Sequence, residues 1–102
     1  SLPEPPTAVF CVSDLLAISA IHGAADLGLK VGKDISIIGF DNITMCEMML
    51  PSVSTIEQPC EKLGEMVVRK LIANITSPAG NKDNRTYTVE HRVILRDSTG
   101  SI

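Results

Sequence analysis

Apolar residues along this chain follow two rhythms. Residues 8–12 and 35–40 are short, nearly unbroken apolar runs, the pattern of strands covered on both faces and therefore of a parallel sheet. Between them, residues 14–29 carry Leu15, Leu16, Ile18, Ile21, Ala24, Ala25 and Leu27 at helical spacing. Ser13 or Asp14 can cap the first turn of that helix, and Gly28 can stop it. Strand, helix and strand read as one right-handed βαβ crossover, so the expected fold class is α/β with a parallel sheet. Ala17, Ala20, Ala24 and Gly28 add a stripe of small residues for close approach to a neighbour, and the helix is expected to want partners on two faces.

Residues 41–52 mix Met45, Met48, Met49 and Leu50 with polar side chains and contain Pro51. They read as a long loop with one helical turn, whose apolar side chains suggest a contact surface. Residues 53–58 form a short strand, and Pro59 follows where its fixed φ opens a helix without losing a needed hydrogen bond. In that helix Cys60, Leu63, Gly64, Val67, Val68, Leu71 and Ile72 recur every three or four residues, which predicts one buried face. Glu61 and Glu65 early and Arg69 and Lys70 late complement its dipole. Residues 76–85 hold only turn and solubilising residues and read as a surface loop. Tyr87, Val89, His91, Val93 and Leu95 then alternate with Thr88, Glu90, Arg92 and Arg96, the period of a strand at or near a sheet edge.

Composition narrows the classes of function. A chain of 102 residues supports one compact unit and not two. Its net charge of −3, without a run of Lys or Arg, supplies no phosphate-neutralising surface, so this segment is not expected to bind DNA by itself. No apolar stretch reaches the roughly 20 residues of a membrane span, and no leader opens the chain. Cys11, Cys46 and Cys60 make an odd set without C-x-x-C spacing, which argues against a disulfide framework and a zinc site and fits a reducing cytoplasm. The Asn-x-Thr tripeptides at Asn42, Asn74 and Asn84 match a glycosylation pattern too short to carry weight without a leader. The chain opens on Ser1 rather than Met, with a strand soon after, as expected of a segment cut from a longer protein.

The order of landmarks is more specific than any one of them: TAVFCVSDLLAISAI, DLGLKVGKDISIIGFDN, PSVSTIEQPCEKLG and VILRDSTG. Over nearly its whole length the chain resembles the C-terminal part of the effector-binding domain of LacI/GalR transcription regulators. The resemblance implies a periplasmic-binding-protein-like sensor of two α/β lobes joined by crossing strands, with a small effector outside the carboxyl ends of the parallel strands. It implies that residues 1–102 are a C-terminal fragment of the effector-binding and dimerisation domain. Residues 8–40 would be the βαβ of the C-terminal lobe, residues 53–58 a strand crossing the hinge, residues 59–75 a helix packing on the N-terminal lobe, and residues 87–96 a returning strand. The DNA-binding domain would lie outside this chain, and operator DNA would be met only through it. The effector would be a sugar, a sugar phosphate or a nucleobase, and the assembly a homodimer in the cytoplasm.

Asp41 follows a buried strand directly, where a carboxylate can accept hydrogen bonds from sugar hydroxyls or a base edge or can cap the following turn. Read with the resemblance, it is the leading effector residue. Ser13 ends the preceding strand where the family commonly carries Asn, so it offers one hydroxyl instead of an amide. Asp14 is the next candidate, with capping of its helix as the competing role. Gln58 can reach an effector from the rim or simply end its strand. Ile18 and Met49 match positions that face the other subunit in the family, against an ordinary core role. His22 and His91 belong to no set of Cys, His or carboxylate residues at ligand spacing, so no metal site is expected. Cys11, inside a predicted strand, reads as an inert thiol. No cofactor motif and no set of acid, base and nucleophile is present, so no cofactor and no enzyme activity are expected. A periplasmic sugar-binding protein of a transport system is the alternative function, and the unpaired cysteines with the GFDN to STIEQP series weigh against it.

Overall fold

The computed structural model of the chain describes residues 3–76 and 86–101. Where its length led to the expectation of one compact unit, the chain divides into two, Ser1–Gln58 with Arg92–Ile102, and Pro59–His91, because the segment after Gln58 makes its contacts largely within itself.

The larger unit is built on the expected crossover. Strand β1 (Ala8–Phe10) pairs in parallel with β2 (Ser36–Ile38), Val9 opposite Ile37, and α1 (Asp14–Asp26) connects them. Ser13, in extended conformation, caps α1 through its hydroxyl, which accepts from the Leu16 N–H at 3.3 Å. Asp14 does not cap. The helix stops at Leu27, and Gly28 takes the left-handed φ of +79° that a residue with Cβ disfavours. Ala17, Ile21 and Ala24 come round every three or four residues and are buried on one stripe against Ile37 of β2, Cys46 and Val53. Removing Ile37 or Val53 from water contributes roughly 1.5–3 kcal/mol each. Small side chains let the helix lie close: a Cβ on Gly39, at the end of β2, would meet the Asp14 carboxylate and the Ala17 methyl.

The expected loop at 41–52 contains one helical turn, α2 (Met45–Met48), whose Cys46 reaches the core. β3 (Thr55–Glu57) begins beside β2, where the Gly39 N–H donates to the Ser54 carbonyl at 2.9 Å, and then pairs antiparallel with β4 (Arg92–Ile94). The last residues return to β2: the Ser98 hydroxyl donates to the Ile37 carbonyl, and the Ile37 N–H donates to the Ser98 carbonyl. The smaller unit holds α3 (Cys60–Thr76), with the Glu65–Arg69 pair on its surface and the Lys70 ammonium 4.3 Å from the centre of the Tyr87 ring.

Three further expectations need correction. β1 is not covered on both faces: among the described residues its one strand partner is β2, and Phe10 and Val12 are exposed. Its continuous apolar pattern registers a demand for cover that the described residues do not meet. For the same reason α3 has its apolar stripe but no buried residue, with Val67, Val68, Leu71, Ile72 and Ile75 all more than half exposed. The strand expected over 87–96 is ordered as a strand only at Arg92–Ile94, where β3 offers hydrogen-bonding partners. The surface loop read at 76–85 lies outside the described residues, apart from Thr76, which ends α3.

Candidate functional site

The carboxyl end of β2 runs into a sharp corner. Asp41 has φ +115° and Asn42 φ +59°, both in the region that residues with a Cβ disfavour. Asn is among the residues that tolerate it best, because its short polar side chain finds local partners. The corner turns the Asp41 carboxylate outward, and Asp41 is exposed. There it accepts a hydrogen bond from the Gln58 amide, Nε2 to Oδ1, at 2.6 Å. Two residues nominated separately from the sequence, one after β2 and one after β3, thus meet. Together they present a carboxylate and an amide whose remaining oxygens have no partner among the described residues, a set suited to hydroxyl groups.

Behind this pair lies a network that the sequence reading did not find. Asn42 donates from Nδ2 to Glu57 at 2.6 Å and accepts at Oδ1 from Arg96 Nη2 at 2.9 Å. Arg96 donates through Nη1 to the Val53 carbonyl at 2.8 Å and faces Glu47 at 3.6 Å. Glu57 also receives Arg92 on both carboxylate oxygens, at 3.1 and 3.3 Å. These partners tie the corner to β3, to β4 and to the segment after β4. GFDN and VILRDSTG, two of the sequence landmarks, contain Asn42 and Arg96, so a signal was available. Their pairing across more than fifty positions was not.

Asp14 stands apart from the exposed pair. It is 1% exposed, its Oδ2 accepts from the Ile43 N–H at 2.8 Å, and its Oδ1 accepts from the Thr55 hydroxyl at 2.6 Å. Counted from the sequence among effector-facing candidates, it has its oxygens turned to the protein interior, because the first turn of α1 is seated on Gly39. Burial, and then contact with this carboxylate, pushes the Cys46 thiol up to about 11. Burial likewise raises Cys11, and neither thiol is a ready nucleophile at neutral pH. Ser13 is half-buried; its hydroxyl accepts the Leu16 N–H. Ile18 and Met49 are partly buried and packed against the core, while Leu15, Leu16, Met48 and the 93%-exposed Leu50 beside them face outward.

The model of the periplasmic binding protein-like domain matches residues 1–99. The chain belongs to that family. Among curated relatives, the ribose operon repressor of Haemophilus influenzae is 39% identical over 95% of this chain and 29% of its own length. The transcriptional repressor PurR of Photorhabdus laumondii is 43% identical over 93% of this chain and 27% of its own length. Among solved structures, a LacI family transcriptional regulator from Enterococcus faecalis with bound ribose is 34% identical, with a TM-score of 0.82 over 98% of this chain and 37% of that one. The periplasmic-binding-protein-like chain thus spans less than a third of the length of these curated relatives. Its resemblance to LacI/GalR regulators is borne out, as is the α/β fold class.

Proposed function

We propose that this chain is the effector-sensing and dimerisation part of a LacI/GalR transcription regulator, and that its effector is a small polyhydroxy compound of the sugar class. The observation that carries the reading is the Asp41–Gln58 pair at the carboxyl end of β2, where binders of this architecture hold their ligands. A carboxylate and an amide side by side satisfy neighbouring hydroxyls, and ribose recognition by a relative at 34% identity supports that chemistry. Asp41 and Gln58 bind the effector in this reading, and Ser13 contributes its hydroxyl. The segment 53–58, which contains β3, crosses the hinge to the other lobe, α3 sets its exposed apolar stripe on that lobe, and β4 returns. A repressor role follows from the relatives named above, and regulators of this kind are not enzymes. Three free cysteines fit the cytoplasm, and no helix among the described residues is long and apolar enough to cross a membrane. Operator DNA would be met through a domain outside these 102 residues.

Calorimetric titration of D-ribose into the full-length gene product tests the effector assignment. Asp41→Asn keeps the shape but loses a charge-assisted hydrogen bond, so affinity is expected to fall by about 10- to 100-fold. A variant that binds ribose as tightly as the parent would remove Asp41 from the site.

The dimer is assigned to the face bearing Ile18 and Met49, continuous with exposed Leu15, Leu16, Met48 and Leu50. In sedimentation equilibrium, Ile18→Asp and Met49→Asp are each expected to yield folded monomer, because the interface would desolvate a carboxylate with no cation to pair it. Self-association indifferent to both would move the interface elsewhere.

A further inference from the structure

We propose that Asp14 and Thr55 are positioning residues of the effector site: they lock the left-handed corner at Asp41–Asn42 and thereby aim the Asp41 carboxylate. The inference rests on the reading of Asp41 as an effector residue.

Two successive residues other than glycine with positive φ persist only where their surroundings over-determine them. Three consecutive backbone amides show what does so here. The Asp41 N–H donates to the Ile56 carbonyl at 2.9 Å, the Asn42 N–H to the Thr55 hydroxyl oxygen at 3.2 Å, and the Ile43 N–H to Asp14 Oδ2 at 2.8 Å. The Thr55 hydroxyl is the pivot. A backbone N–H can only donate and a carboxylate can only accept, so the hydroxyl receives Asn42 and gives its own proton to Asp14 Oδ1 at 2.6 Å. With its proton committed, its remaining acceptor capacity is aimed at the corner.

Asp14 in turn has no freedom to move. Its own N–H donates to the Phe40 carbonyl at 3.0 Å, and Gly39 leaves no space beneath it. One carboxylate therefore holds two elements at once: the amide at the far side of the corner directly, and the middle amide through Thr55 of β3. Asp41 is the residue on the near side of that clamp. Its carboxylate direction follows from a backbone that Asp14 and Thr55 hold from the interior, without either touching the effector. The Asn42 side chain grips the corner separately, through Glu57 and Arg96, so the Thr55 contribution can be removed while that grip stays.

Amide hydrogen exchange by NMR and ribose calorimetry on the full-length gene product test this together. In the unmodified protein the Asn42 and Ile43 amides are expected to exchange as slowly as those of β2; exchange at the rate of a free loop overturns the proposal before any variant is made. Thr55→Val is expected to speed exchange at Asn42 and Ile43 and to weaken ribose binding by about tenfold or more, and Thr55→Ser to restore both. Ile21→Ala truncates the core away from the corner and is expected to lower stability while leaving ribose affinity in place. Affinity unchanged in Thr55→Val, or lost equally in Ile21→Ala, overturns positioning in favour of a general stability effect. If the unmodified protein does not bind ribose, that sugar is withdrawn from the functional reading, and slow exchange released by Thr55→Val still decides for the clamp, unaltered exchange against it.

Discussion

Asp14→Ala is expected to destabilise the full-length gene product by about 3–6 kcal/mol in urea denaturation, the sum of two lost hydrogen bonds to a charged group at roughly 1.5–3 kcal/mol each. The bonds are those from the Ile43 N–H and the Thr55 hydroxyl, and at 1% exposure little water can replace them. A smaller term, roughly 0.3–1 kcal/mol, comes from removing an acidic residue from the first turn of α1, where it faces the positive end of the helix dipole. Asp14→Asn separates hydrogen bonding from packing. Its shape is the same, but one of its two terminal atoms now donates. Turned toward Ile43, the new NH₂ opposes an N–H; turned toward Thr55, it leaves the hydroxyl proton without an acceptor. Asn is therefore expected to recover only part of the loss. An alanine variant less than about 1 kcal/mol below the parent would mean that the corner relaxes onto other acceptors, which the three engaged amides argue against.

Asp14 also shows where sequence reasoning reached and where it stopped. Its place at the start of α1 was legible, because the apolar spacing after it marks the helix and Ser13 precedes it. Its task was not, since both its partners lie far along the chain, at Ile43 and Thr55, and no periodicity connects them. Asp41 and Gln58 were legible for a different reason. Asp41 directly follows one predicted strand and Gln58 ends another, and side chains at strand ends gather where the sheet ends. The parallel pairing of β1 and β2 and the single turn at Met45–Met48 followed from run length, from connection length and from Pro51. α3 was legible as an amphipathic helix, yet its lack of burial was not, because a hydrophobic stripe records a demand for cover and not its source. Asn42, Glu57, Arg92 and Arg96 escaped because polar residues near strand ends look alike in one dimension. Only the corner at Asp41–Asn42 and the antiparallel β3–β4 pairing bring them within reach of one another.

Gly32→Ala is the other change with a large expected cost, about 3–5 kcal/mol in urea denaturation, and it acts through backbone alone. Gly32 has φ +91°, where a residue with Cβ loses roughly 1–2 kcal/mol by conformation before anything is touched. The added methyl would also run into the Asp97 carbonyl oxygen. A flexible side chain could step aside; this neighbour is main chain, and it leads directly into Ser98. Ser98 is fully buried, with its hydroxyl donating to the Ile37 carbonyl at 2.6 Å and accepting the Ser54 N–H at 2.8 Å. Its own N–H donates to the Ser52 carbonyl at 2.9 Å, and its carbonyl accepts the Ile37 N–H. Displacing Asp97 therefore strains several bonds worth about 1 kcal/mol each, and these bonds fix the start of β3 beside β2. Gly100 closes the other side of the contact, since a Cβ there would meet the Gly32 carbonyl, so the segment cannot slide past. Because the lesion lies away from Asp41 and Gln58, the folded fraction of Gly32→Ala is expected to keep the parent's ribose affinity while melting earlier. A loss held to about 1–2 kcal/mol would mean that only the φ term is felt and that Ser98 keeps its bonds by shifting with the chain.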